Sequence, residues 1–207
     1  MKSLGSGFIL AAFFLLSPLR AQSPVVWTLS KLTFAAPAVP TVYGTPRLDR
    51  ASEPVSIAFN GREDGYAIPV NPVAGWPTFT IRARIRPDVS GPQAQRFLHI
   101  EDEAGHRITM EIRLAPNGTW SLDTFLKNAP HSLTLASAAL SHSSGQWHVA
   151  ELRYDGKIMS SYVDGKKELS GPVEFVPMGP GRTSVGVRLN RVSWYKGAIA
   201  EIQFSKE

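Results

Sequence analysis

Between Arg107 and Leu114 the residue types alternate, with Arg107, Thr109, Glu111 and Arg113 interleaved with Ile108, Met110, Ile112 and Leu114. On an extended backbone successive side chains point to opposite faces, so Glu111 and Arg113 project together, away from an apolar face. The same alternation over 183–190 sets Ser184, Gly186, Arg188 and Asn190 opposite Val185, Val187 and Leu189. Gln95, Arg96 and His99 belong to the preceding segment, Asp123 to the following one, and Tyr162 to a later run. If these strands are neighbours, carboxylates, arginines, an imidazole, an amide and a phenol share one polar groove.

Two kinds of chemistry suit that set. Arg96, Arg113, Arg188, Asn190, Glu111 and Asp123 supply planar donors and acceptors for hydroxyl groups, and Tyr162 an aromatic face for the apolar side of a sugar. Alternatively, His99 or Tyr162 acts as a base beside an arginine that stabilises developing negative charge, with Glu111 and Asp123 as further proton-transfer groups. That would be a polysaccharide lyase or glycoside hydrolase. Glu111 and Arg113 also fit a plain ion pair on a wet surface, so binder, enzyme and protein-interaction module all stay open.

Other chemistries lack their residues. There is no cysteine, which removes thiol nucleophiles and thiolate metal sites. The five histidines have no zinc-type spacing. Gly179-Pro180-Gly181-Arg182 precedes a strand pattern, not the helix that a phosphate cradle needs. Glu101-Asp102-Glu103 runs into Ala104-Gly105-His106 and reads as a charged turn. Trp76 and Trp194 fit either a sugar-stacking platform or a buried aromatic.

The groove residues need strands to hold them. Helical periodicity is nearly missing, and short alternating runs are separated by Gly, Pro, Asn or Asp clusters about every ten residues, as in antiparallel sandwiches. Ala115-Pro116-Asn117-Gly118 and Asp155-Gly156 are hairpin turns, because Asn-Gly and Asp-Gly take positive φ readily. Strands are expected at 56–59, 66–69, 78–86, 107–114, 120–126, 147–154, 159–163, 183–190 and 198–205. Trp27-Thr28-Leu29 and Thr41-Val42-Tyr43 are expected edge strands in a Pro-rich front segment.

Lys2, the apolar run Phe8–Leu16 and the small residue Ala21 are the parts of a secretory signal peptide, so residues 1–21 are expected to be removed. The run is too short to span a bilayer, which takes about 20 apolar residues. The expected product, residues 22–207, is a single domain that is secreted or periplasmic and has no membrane attachment. Losing Lys2 and Arg20 lowers the formal net charge from +5 to +3. Those charges are scattered, which is not a nucleic-acid footprint.

Ser144-Gly145-Gln146-Trp147-His148-Val149-Ala150, with Tyr154-Asp155-Gly156 and Tyr162-Val163-Asp164-Gly165, resembles the central hairpin of laminin-G-like domains. Phe59-Asn60-Gly61-Arg62-Glu63-Asp64-Gly65-Tyr66 resembles their opening strand and turn, and Phe79-Thr80-Ile81 with Arg86-Pro87-Asp88 the strand that follows. Ser184–Arg188 and Tyr195–Ile202 are similar to the closing pair. The resemblance implies an all-β, two-sheet antiparallel jelly-roll sandwich of the concanavalin A-like kind. That superfamily hosts lectins, adhesion modules, carbohydrate-binding modules and glucanases, so it implies a carbohydrate or polysaccharide partner, with a protein partner as the alternative. The Glu-x-Asp-x-x-Glu strand of its glucanases does not occur here. Many relatives hold Ca2+ through an Asp matched by Asp64, but Ala200 stands where their second Asp is usual.

Overall fold

The computed structural model describes residues 23–31 and 38–207. The expected signal peptide at 1–21 lies outside the described residues. Two eight-stranded antiparallel sheets face each other.

Sheet A holds β1 (Val25–Thr28), β3 (Arg47–Asp49), β4 (Ser56–Asn60), β6 (Phe79–Pro87), β12 (His148–Tyr154), β13 (Ile158–Val163), β14 (Lys166–Pro172) and β16 (Lys196–Ser205). Sheet B holds β2 (Thr41–Tyr43), β5 (Gly65–Ile68), β7 (Ala94–Asp102), β8 (Arg107–Leu114), β9 (Thr119–Asn128), β10 (His131–Ala136), β11 (His142–Ser143) and β15 (Gly181–Val185). The strand orders are β14-β13-β12-β6-β16-β4-β3 and β10-β9-β8-β7-β15-β5-β2, with β1 added beside β16 and β11 beside β9.

The inward residues of both sheets form one apolar cluster. Ile81, Ile85, Leu152 and Ile202 come from sheet A, and Leu98, Ile100, Ile108, Met110, Ile112 and Trp120 from sheet B. These are the apolar positions of the alternating runs, and burying them drives the two layers together. Trp76 also belongs to this core and offers no exposed platform.

The outer faces differ. Along β6 the outward Arg82, Arg84 and Arg86 remain at least partly exposed. Along β8 and β9 the outward Thr109, Glu111, Ser121 and Asp123 are as buried as the core. The outer face of sheet B is therefore recessed.

Local turn chemistry matches the sequence. Asn117 Oδ1 accepts the Thr119 amide, and Gly118 has φ 78°. Asp102 accepts amides from His106 and Gly179, which makes 101–106 a braced turn.

Candidate functional site

Arg96, Glu111 and Asp123 are directly opposed across β7, β8 and β9. With Arg113, Arg107, Thr109 and Arg188 they line a hollow of about 200 Å³ on the outer face of sheet B. Five of the eight sequence-nominated residues thus meet there: Arg96, Glu111, Arg113, Asp123 and Arg188. His99 borders them on the same face, opposite Thr109.

Strict alternation would not allow Arg96 and His99, three residues apart, to share a face. A register shift between Arg96 and Leu98 makes Phe97 an extra, bulged residue that brings both outward. Gln95 remains on the inner side of that bulge. Fully buried, it accepts the Lys196 amide and donates to the Pro92 carbonyl, so it is not a groove residue.

The two carboxylates are locked. Arg113 donates to Asp123 at 2.9 Å and also to Glu111, while Arg96 ion-pairs with Glu111 from the other side. Burial lifts the Glu111 pKa above the usual carboxylate range; Arg96 pulls it down, Asp123 pushes it up again, and the net direction is upward. Burial lowers the Arg96 pKa, with Glu111 opposing and Arg188 and Arg107 adding to the depression. The Arg113 pKa is raised: burial works against that, but the contacts with Asp123 and Glu111 outweigh it.

His99 is 1% exposed, and its pKa is lowered to about 3 by burial and then by Arg96, Arg107, Arg188 and Arg182. It is therefore neutral across the physiological range. Its Nδ1 accepts the Leu189 amide, which places the ring proton on Nε2. That proton has no hydrogen-bond acceptor, and Glu101 Oε2 is 3.5 Å away.

Two nominated residues are elsewhere. Tyr162 lies on the outer face of sheet A, opposite Glu151 and Lys167, with the Arg153 guanidinium 4.6 Å from its ring centroid. The 148–163 hairpin pairs with β6 and so belongs to the other layer. Asn190 is not on a strand. Strand β15 ends at Val185, and Gly186 at φ 79° starts a turn running to Tyr195. Asn190 is exposed there and lines a second hollow of about 550 Å³ with Tyr43, Glu63, Arg191 and Trp194. Tyr43 and Trp194 meet edge to face at 6.2 Å. By register, Tyr43 shares the outer face of sheet B with Ser184 and His99, so both hollows open on one face and share the 186–195 turn.

Sequence reasoning missed Arg107 and Thr109 as lining residues, although they stand in the same alternating series as Glu111. A larger hollow of about 990 Å³ lies near the loops joining the layers. Two of its charged side chains are already partnered, Lys196 with Asp88 at 3.4 Å and Arg86 with Asp49 at 3.2 Å.

Asp64, the expected calcium ligand, already holds two backbone amides. Asp64 Oδ1 accepts the Thr45 amide at 2.8 Å and Oδ2 the Asn60 amide at 3.0 Å. Ala200 is a buried bulge position, and among the described residues no three His or carboxylate side chains group as metal ligands. Asp64 instead ties the opening strand to the 44–45 turn.

The family's sequence pattern matches residues 60–207, and the chain belongs to the laminin-G branch of the concanavalin A-like lectin/glucanases superfamily. No curated protein matches it in sequence. Among solved structures it is similar to domain 4 of AbnA, a GH43 extracellular arabinanase from Geobacillus stearothermophilus, in complex with arabinotriose. That likeness has TM-score 0.56 and 15% identity and covers 90% of this chain and 83% of that one. It is also similar to the Ruminococcus gnavus IT-sialidase CBM40 bound to alpha2,3 sialyllactose, at TM-score 0.59 and 15% identity, covering 73% and 90%. Domains LG4-5 of the mouse laminin alpha1 chain match at TM-score 0.57 and 14% identity, covering 82% of this chain and 47% of that one. At these identities the likeness establishes the sandwich fold.

Proposed function

We propose that the protein is an exported, non-catalytic carbohydrate-binding sandwich that holds a glycan across the outer face of sheet B. One observation carries the reading: a recessed hollow rich in guanidinium donors and an aromatic-lined hollow open on that same face, joined by one turn. Planar hydrogen-bonding groups beside an aromatic surface are what sugar rings require. Two sandwiches of similar fold carry oligosaccharides, arabinotriose in one and sialyllactose in the other.

The acid pair favours binding over cleavage. Glycosidases separate their two carboxyl groups by about 5 Å or more so that the scissile bond fits between them. Here Glu111 and Asp123 stand opposite each other, close enough for a side-chain hydrogen bond between them to raise the Glu111 pKa, and are gripped by one guanidinium. Neutral His99, with its pKa about 3, makes a weak base near pH 7.

A glycan array run beside product chromatography tests the reading. Retention of at least one polysaccharide with its chain length unchanged is the expected result. Release of reducing ends or unsaturated products, abolished by Glu111→Gln, would establish an enzyme instead. Binding to no glycan, with capture of a protein partner, would favour the interaction module.

A further inference from the structure

The recess is unbalanced in charge and in hydrogen-bonding character. Its two carboxylates are consumed by Arg113 and Arg96. Arg107 and Arg188, which line the same hollow, have no ion-pair partner among the described residues. Arg107 lies over the Phe125 ring at 5.2 Å, and its Nε is buried without an acceptor. Arg96 Nε and the Thr109 hydroxyl are likewise buried and unpartnered, Thr109 being 2% exposed. His99 adds a buried Nε2 proton without an acceptor.

Apart from the Thr109 hydroxyl, which can also accept, these vacant groups are donors, and the one carboxylate oxygen among the buried atoms without a hydrogen bond, Glu111 Oε2, is already ion-paired with Arg96. A neutral sugar hydroxyl both donates and accepts, so such a lining would satisfy only half of it. A carboxylate or sulfate is acceptor-only and carries the missing charge, and guanidinium forks match its planar or tetrahedral oxygens. Buried donors left without partners are unfavourable in the free protein, so a ligand that pairs them all gains that relief on binding. At about 200 Å³ the recess is smaller than the roughly 300–1,000 Å³ of a drug-sized site. It seats one charged substituent or ring, not a run of residues.

Resting on the carbohydrate reading above, we infer that the recess is an anion seat: the ligand is an acidic glycan whose carboxylate or sulfate group lies among Arg96, Arg107, Arg188 and Thr109.

The test is titration calorimetry with three probes: oligogalacturonate for the carboxylate, a chondroitin sulfate oligosaccharide for the sulfate, and arabinan oligosaccharide as the neutral control. At least one acidic probe binds, and Arg107→Gln or Arg188→Gln weakens it about tenfold or more, as expected for losing a charge-assisted contact. Thr109→Val weakens it several-fold. Arg84→Gln, on the outer face of sheet A, leaves it unchanged, which separates a seat from general attraction to a basic protein. Thermal melts of each variant confirm folding. Equal loss in Arg84→Gln, or acidic binding indifferent to Arg107 and Arg188, overturns the anion seat. Binding of arabinan alone also overturns it while sparing the carbohydrate reading. Binding to none of the three probes, nor to any glycan on the array, overturns both.

Discussion

Residue by residue, the recess is a set of buried groups whose ionisation is coupled to folding. The folded His99 pKa of about 3 lies well below an unfolded value near 6.5. In the window between the two the unfolded chain binds a proton that the folded one does not. Stability from keeping His99 neutral is therefore present above pH 6.5 and lost as pH falls toward 3. His99→Asn keeps an acceptor for the Leu189 amide but does not titrate. Urea unfolding at pH 6.5 and pH 5 should show the native protein losing about 1.5 kcal/mol more than this variant; equal losses would contradict a neutral buried imidazole. Arg113 is the counterpart for the acids. Arg113→Met should destabilise by about 1–3 kcal/mol at pH 7, because Glu111 and Asp123 are left facing each other with less compensation. Glu111 has a raised pKa, so acidification neutralises it and the deficit should shrink as pH falls. Chemical denaturation at pH 7 and at a lower pH checks the direction.

At the scale of elements, two irregularities shape the site. The bulge at Phe97 turns Arg96 and His99 to one face, and its backbone also anchors the 186–195 turn. Gly186 donates to the Phe97 carbonyl at 3.1 Å, and Arg96 to the Ser193 carbonyl at 2.8 Å. Gly186 sits at φ 79°, where a Cβ would lie 2.4 Å from the Phe59 ring. Gly186→Ala should therefore lower stability by about 2–4 kcal/mol from positive-φ strain and overpacking. It should weaken glycan binding as well, because the turn holds both Arg188 and Trp194. A melt and a titration on the same variant check both effects. Trp194→Ala removes the half-buried aromatic of the second hollow but no member of the core cluster, so affinity should fall while the melting temperature stays within a few degrees. A large stability loss would mark Trp194 as scaffold.

The whole molecule is two layers whose inner faces supply one core, and their pairing brings together segments far apart in sequence. β16 lies between β6 and β4, while β15 joins β7 to β5. Such non-local pairing closes long loops before contacts reward them, so refolding in milliseconds to seconds is expected, and stopped-flow fluorescence of the tryptophans measures it. Ile108→Ala, at the centre of the inter-sheet cluster, should cost about 2–5 kcal/mol, more than the outer-face substitutions above.

The alternation in 107–114 by itself determined that Ile108, Met110 and Ile112 go inward and that Glu111 and Arg113 share the other face, because the pleat has a period of two. Asp-Gly and Asn-Gly punctuation placed the hairpins, and laminin-G-like motifs placed the family, because turn conformations demand those residues locally. Tertiary structure alone decided which strands lie side by side. It moved Tyr162 to the opposite layer, took Asn190 off its expected strand at Gly186, and used an extra residue at Phe97 to bring Arg96 beside His99. It also closed the hollow in which Arg107 Nε and the Thr109 hydroxyl lie without hydrogen-bond partners. Strand order and bulges depend on how distant segments pack, and local spacing carries no record of that.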